Sequence, residues 1–194
     1  MRTNPRAFVL VIAVTIVAAF ATIGVAAGSA SAAGNDVVVF DIDGTLTSDT
    51  LSNTPHPGAV DAVKAYKAKG YAVVYLTARW KPVQELYTRA WLALNGFPDQ
   101  PLYMSSSLLI SDSATVKYKT SALAKIEVGT PEVKYAYGDS TTDFRAYANA
   151  GVAQANVYAL KRAGSSSCES GTWNACLVNY TGHLPFIAAL PPGT

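Results

Sequence analysis

From residue 37 onward, apolar positions alternate between short unbroken runs and stripes at helical spacing. Val37-Val38-Val39-Phe40 is an apolar run of four, three of them β-branched, and reads as a fully buried strand. Tyr71–Leu76, Leu102–Met104, Lys134–Tyr137 and Asn156–Leu160 read as four further strands. Between them the period lengthens. Pro57 opens a helix with Ala59, Val60, Ala62, Val63 and Tyr66 on one face, and Gly70 closes it. A second helix starts near Pro82, carries Val83, Leu86, Tyr87, Ala90, Trp91 and Leu94 as its apolar face, and stops at Asn95-Gly96. Lys119–Ile126, Phe144–Ala150 and Leu184–Leu190 read as three more helices. Strands alternating with helices imply βαβ units, right-handed crossovers and a mainly parallel sheet, hence an α/β fold. No internal repeat and no linker divides residues 33–194, which read as a single domain.

The amino terminus breaks this rhythm. Arg2 and Arg6 precede an uncharged apolar run, Ala7–Ala27, and Ala30-Ser31-Ala32 fits a small-residue cleavage site. Residues 1–32 are therefore expected to be a secretory signal cut after Ala32, which places the mature chain outside the cytoplasm. An uncleaved anchor helix is the alternative, because about 20 apolar residues reach across a bilayer. After cleavage no stable membrane insertion is expected.

Charge narrows the partners. Of 194 residues only 14% are charged, and half are hydrophobic. Without Arg2 and Arg6 the basic residues match the 13 acidic ones, so the mature chain is near neutral. No Lys/Arg cluster stands out, which argues against nucleic acid and against capture by an anionic membrane. The two cysteines, Cys168 and Cys176, lie in a Ser/Gly-rich stretch, and an even count in an exported chain favours a disulfide between them. Neither has a neighbour that would activate a thiolate.

Candidate chemistry gathers where the strands end. The first strand runs into Asp41-Ile42-Asp43-Gly44-Thr45, the second into Thr77-Ala78-Arg79, and the fourth into Gly138-Asp139-Ser140-Thr141-Thr142-Asp143. All carboxyl ends of a parallel sheet open on one edge. If Asp41 and Asp43 continue the strand, their side chains project to the same side. Two carboxylates so close repel unless a cation lies between them, and a hard divalent ion, most often Mg2+, meets that need. Lys119 would add an ammonium at the start of its helix, with Lys117 as its rival. Each residue also has an ordinary reading. Asp41, Asp43 and Gly44 suit a turn, as does Asp139. Thr77 suits a helix N-cap, and Asp143 an N-cap or first-turn acid. Arg79 reads either as a substrate contact or as half of a surface ion pair. His56 and His183 read as loop residues, and Trp80 and Trp91 as packing.

Taken together, Asp41-Ile42-Asp43-Gly44-Thr45, Leu76-Thr77, Lys119 and Gly138-Asp139-Ser140-Thr141-Thr142-Asp143 resemble the four-motif signature of the haloacid dehalogenase (HAD) superfamily. Asp-Gly-Thr-Leu-Thr-Ser-Asp, Gly-Tyr-Ala-Val-Val-Tyr-Leu-Thr-Ala-Arg, Tyr-Met-Ser-Ser-Ser-Leu and Tyr-Ala-Tyr-Gly-Asp-Ser-Thr-Thr-Asp resemble its lipin/LNS2 branch. The resemblance implies a Rossmann-like three-layer α/β/α sandwich and a Mg2+-dependent phosphomonoesterase. It implies Asp41 as nucleophile and Asp43 as general acid and base. Asp41, Asp43 through its main-chain carbonyl, Asp139 and Asp143 would hold the metal. Thr77, Gly44 and Lys119 would bind the phosphoryl group. Too few residues separate these motifs for a cap domain, so the site is expected to be open. The partner would then be a phosphorylated small molecule or a lipid head group such as phosphatidate. A catalytically silent module binding a phosphorylated lipid or sugar, and a polynucleotide-end phosphatase, are the alternatives.

Overall fold

The computed structural model describes residues 36–127 and 132–194. The expected signal segment, residues 1–32, lies outside them. The element order is β1 (Asp36–Phe40), α1 (Ala59–Ala68), β2 (Ala72–Trp80), α2 (Lys81–Leu94), β3 (Leu102–Ser105), α3 (Asp112–Ile126), β4 (Glu132–Gly138), α4 (Thr141–Asn149), β5 (Val157–Leu160), β6 (Ala175–Leu177) and α5 (Leu184–Ala189). The six strands form one sheet in the order β3-β2-β1-β4-β5-β6, and every pairing is parallel. β1 lies inside the sheet, between β2 and β4, and its Val38, Val39 and Phe40 are wholly buried.

Helices cover both faces, as a parallel sheet requires. On one face Val38, Phe40, Tyr75 and Tyr137 pack with Ala62, Val63 and Tyr66 of α1 and Ile187 of α5. On the other, Val37, Val39, Leu76 and Ala136 pack with Leu123 and Ile126 of α3 and Phe144 and Tyr147 of α4. A register shift near Lys134 lets β4 change which residues face which layer: Val133 joins the α3/α4 side, whereas Tyr135 and Tyr137 join the α1/α5 side. Phe40 stacks on Tyr137 with ring centroids 4.7 Å apart, an offset-stacking distance. The Tyr137 hydroxyl is shared with Tyr66 at 2.7 Å and with His183 Nε2 at 3.0 Å, so these buried polar atoms are partnered.

Four expectations change. α3 begins at Asp112, capped by the Ser111 hydroxyl on the Ala114 amide, and Lys119 therefore lies in mid-helix. Ser113 and Thr115 hide the first turns, because such residues compete for the backbone. β2 continues past Leu76 to Trp80 and leads straight into α2. β6, three residues long, lies in the cysteine segment and was too short to stand out. Most of the apolar stripe assigned to α2 faces outward: Val83, Leu86, Tyr87 and Leu94 are exposed, while Trp91 of that stripe packs inward with Thr88 and Leu92. His56 lies in a loop as read, and His183 in a 3-10 turn before α5; both are buried. No cap domain interrupts the described residues; the span between β1 and α1 holds a turn and one isolated bridge, Thr47–Pro55.

Candidate active site

The strand order reverses at β1. The chain moves from β1 through β2 to β3, then returns to place β4 on β1's other side. Ligand sites of open α/β sheets lie at such a switch point, beyond the carboxyl ends of the strands. Asp41 follows β1 there and Asp139 follows β4, with the Asp41 amide donating to the Tyr137 carbonyl at 3.0 Å.

Asp41, Asp139 and Asp143 are all buried, and one carboxylate oxygen from each lies within 4.8 Å of the other two. Lys119 comes from the inner stripe of α3, alongside Val116, Ala122 and Leu123; Lys117 faces solvent, so the helix register chooses between the two lysines. Its ammonium lies 2.5 Å from Asp41 Oδ1 and 2.5 Å from Asp143 Oδ1. Asp143 also closes a capping box with Ser140: its Oδ2 accepts from the Ser140 and Asp139 amides and from the Ser140 hydroxyl. One oxygen of Asp143 thus serves the capping box and the other pairs with Lys119.

The charges do not balance within this cluster. Burial pushes the Asp41 carboxyl well above its usual range, Lys119 opposing and the neighbouring acids adding to it. Burial and Asp143 push Asp139 up to about 7, against the pull of Arg162. Burial also raises Asp143, but Lys119 and Ser140 outweigh it and hold that carboxyl below its usual range. Burial opposes the Lys119 charge, and Asp143 and Asp41 overcome it, so the ammonium is held firmly charged. Three buried carboxylates share one ammonium and the Arg162 guanidinium, which pairs with Asp139 from the segment after β5. A hard divalent cation with oxygen ligands fits this donor set.

Asp43 stands apart. β1 ends at Phe40 and the fully buried Ile42 lies between Asp41 and Asp43; both acids line the same cleft, as the sequence led one to expect, but with different partners. The Asp43 carboxylate is outside the acid cluster. It is held by Arg79, with Nη2 2.7 Å from Oδ1 and Nε 3.0 Å from Oδ2, and by the Thr77 hydroxyl at 3.1 Å. Thr77 is buried and engaged by Asp43 and by the Arg79 amide; it caps no helix. Gly44 does not present a free amide, because its N–H donates to Thr47 Oγ1 at 2.8 Å. Its contribution is space: φ is +75°, and a Cβ there would fall on the Asp139 carboxylate. Gly138 does the same for Asp143, whose Cβ would be 2.6 Å from an added methyl.

Arg79, read as a substrate contact or half of a surface ion pair, is instead a little-exposed partner of Asp43, and Thr45 and Arg162 join the site without having been picked out from the sequence. The Thr45 hydroxyl donates to Asp41 Oδ2 at 3.1 Å, and its place inside the Asp-rich turn was the available signal. Arg162 lies two residues past β5, where the strand-end rule reaches it. Cys168 and Cys176 are disulfide-bonded beside it. The cleft lined by Asp41, Asp43, Lys119, Asp139, Asp143 and Arg162 measures about 140 Å³. That volume suits a phosphoryl group and an ion, and leaves the body of any substrate outside. A larger hollow of about 360 Å³ at Tyr75, Leu92, Phe97 and Pro98 includes none of these acids.

Comparison with known proteins places this geometry. The family model described as PITM 1-3, LNS2 domain, matches residues 38–161, which include every strand end of the site up to Arg162. Human membrane-associated phosphatidylinositol transfer protein 1 is 30% identical over 138 residues, 68% of this chain and 11% of that protein. Protein retinal degeneration B of Drosophila melanogaster is 25% identical over 160 residues, 80% of this chain and 12% of that protein. The chain thus spans about a tenth of the length of these relatives. Among solved structures, D,D-heptose 1,7-bisphosphate phosphatase from Burkholderia thailandensis superposes with a TM-score of 0.50 at 17% identity, covering 79% of this chain and 99% of that one. The Pnkp1/Rnl/Hen1 RNA repair complex gives 0.52 at 18% identity, covering 67% and 43%. At such identity these matches speak for the fold alone. The chain belongs to the LNS2 domain family, in the PITM 1-3 group, and carries the haloacid dehalogenase fold.

Proposed function

We propose that this chain is a Mg2+-dependent phosphomonoesterase working through an aspartyl-phosphate on Asp41. The observation that carries the reading is the separation of two carboxylates only two residues apart. Asp41 is buried and paired with Lys119, whereas Asp43 is part-exposed in the cleft and held by Arg79 and Thr77. Acids in such different surroundings suit different tasks, one as nucleophile and the other as proton donor and acceptor. Asp41 attacks phosphorus while Asp43 delivers a proton to the departing alkoxide. Asp43 then takes a proton from the water that releases phosphate from Asp41. Lys119 orients Asp41 and offsets charge on the phosphoryl oxygens. Asp41, Asp139 and the main-chain carbonyl of Asp43 would hold Mg2+, supported by Asp143, and the ion would supply charge neutralisation between acids and phosphate.

A lipid-derived phosphate such as phosphatidate is the substrate class we favour. The site is capless, and Leu51, Leu108 and Ile110 are exposed on the segments that leave its edge after β1 and β3. One of the named relatives is a membrane-associated phosphatidylinositol transfer protein. Residues 33–194 would act as a single secreted domain after removal of residues 1–32. A binding module without turnover is the second reading. It rests on the Arg162–Asp139 pair, which sets a guanidinium on a carboxylate that the metal would use.

Hydrolysis of p-nitrophenyl phosphate, with and without Mg2+, separates the two. Activity that needs Mg2+ and falls to background in Asp41→Asn is the expected result, and a panel including phosphatidate in vesicles then ranks substrates. Absence of turnover across that panel, with phosphatidate still bound, would overturn the enzyme reading.

A further inference from the structure

The geometry points to Arg79 as the residue that positions Asp43 for both of its proton transfers, an inference that rests on the function proposed above. β2 and β3 lose register between Thr77 and Trp80, and such an irregularity re-aims the side chains beside it. Arg79 is aimed at the site: its Nε reaches both Asp43 oxygens, at 3.1 and 3.0 Å, and its Nη2 reaches Oδ1 at 2.7 Å. The remaining arm is anchored too. Nη1 donates to Thr88 Oγ1 at 3.0 Å, and Thr88 is fully buried on the inner face of α2. The Tyr87 ring lies 5.9 Å from the guanidinium carbon. The Arg79 side chain is only 8% exposed, against 29% for Asp43. An exposed ion pair would contribute little, but this one is a planar fork locked by a buried hydroxyl.

A hydroxyl on the apolar side of α2 makes sense in this light. In a site without a cap, no domain closure brings the proton donor to the ester oxygen. Asp43 sits on a turn, and Arg79 with Thr77 fixes both of its oxygens. In the first step the Asp41 oxygen bonds to phosphorus, the ester P–O bond breaks, and the Asp43 proton goes to the alkoxide. In the second, water bonds to phosphorus, its proton passes to Asp43, and the Asp41–phosphorus bond breaks.

Steady-state and burst kinetics of Arg79→Gln on two esters test this. p-Nitrophenolate leaves without a proton, whereas the alkoxide of glycerol 2-phosphate does not. For p-nitrophenyl phosphate, kcat/KM should stay within about threefold of wild type while kcat falls about 100-fold, the scale of general acid–base catalysis. A burst of one p-nitrophenolate per enzyme should then appear, because the second step still needs Asp43. For glycerol 2-phosphate, kcat/KM itself should fall about 100-fold. Arg79→Lys should not restore it, and Thr88→Val should show the same pattern more weakly. Asp43→Asn combined with Arg79→Gln should be no worse than Asp43→Asn alone. An equal fall in kcat/KM for both esters, or additive losses in the double variant, would overturn the role of Arg79 and leave the phosphatase reading standing. A wild-type protein that turns over neither ester would overturn both.

Discussion

Lys119 is the residue on which the site's electrostatics turn. It neutralises two buried acids at once, Asp41 and Asp143, each 2.5 Å away. Removing one partner of a buried pair costs about 3–5 kcal/mol, because charge is left uncompensated. Lys119→Met should therefore lower the urea midpoint by a corresponding amount and abolish phosphatase activity. Added Mg2+ should raise that variant's midpoint more than it raises the wild type's, since a cation then replaces the lost ammonium. Asp41, Asp139 and Asp143 were legible in the sequence because each follows a strand end, whereas Lys119 was placed at a helix start with Lys117 as its rival until the register of α3 separated them. The partner of Asp43 was not legible. Arg79 lies 36 residues away, and whether it meets solvent, substrate or Asp43 depends on how β2 lies against β1.

At the scale of elements, α2 shows why period alone misleads. Its sequence carries an apolar stripe at helical spacing, yet Val83, Leu86 and Leu94 are exposed and Thr88 is buried. β2 passes into α2 without a loop, so the junction fixes the helix rotation, and the side toward the sheet carries Thr88, Trp91 and Leu92. The segment after β5 is set differently. The Cys168–Cys176 bridge ties it, Ser170 O accepts from Thr141 Oγ1 at 3.0 Å, and Gly171 packs against Phe144 where a Cβ would not fit. Closing so short a loop restricts the unfolded chain by about 2–3 kcal/mol. The double variant Cys168→Ser/Cys176→Ser should lose that much stability in chemical denaturation, while keeping the sheet's far-ultraviolet circular dichroism.

Over the whole molecule, the α1/α5 layer is unusual in being aromatic and polar at once. Tyr66, Tyr137 and His183 form a buried hydrogen-bonded chain, and His183 stacks on Phe186 with centroids 4.6 Å apart. Burial lowers the His183 pKa to about 4 from 6.5, so the fold favours the neutral ring. The unfolded chain binds the proton first as pH falls. The stability this ring contributes is present above pH 6.5 and is lost on the way down to 4, about 2 kcal/mol being gone by pH 5. Asp139 works in the opposite sense, since its carboxyl is raised to about 7 in the fold and takes up a proton earlier than the unfolded chain does. The test is therefore a difference: His183→Gln should lose less stability than wild type between pH 7 and pH 5, measured by urea denaturation.

The sequence by itself determined the order of the first five strands and the five helices and which acids stand at the carboxyl ends, because both follow from backbone period and from the side chains next to each other along the chain. It also marked Asp143 as an N-cap or first-turn acid, while the Ser140 cap and the helix start at Thr141 came with the structure. Only the tertiary structure decided which face of α2 is buried, that Asp43 turns from the acid cluster to Arg79, and that Arg162 reaches Asp139 across 23 residues. Those choices depend on strand order, on a register shift in β2 and on where the polypeptide leaves β1. None of these is a property of neighbouring residues; each is fixed only when separate segments pack.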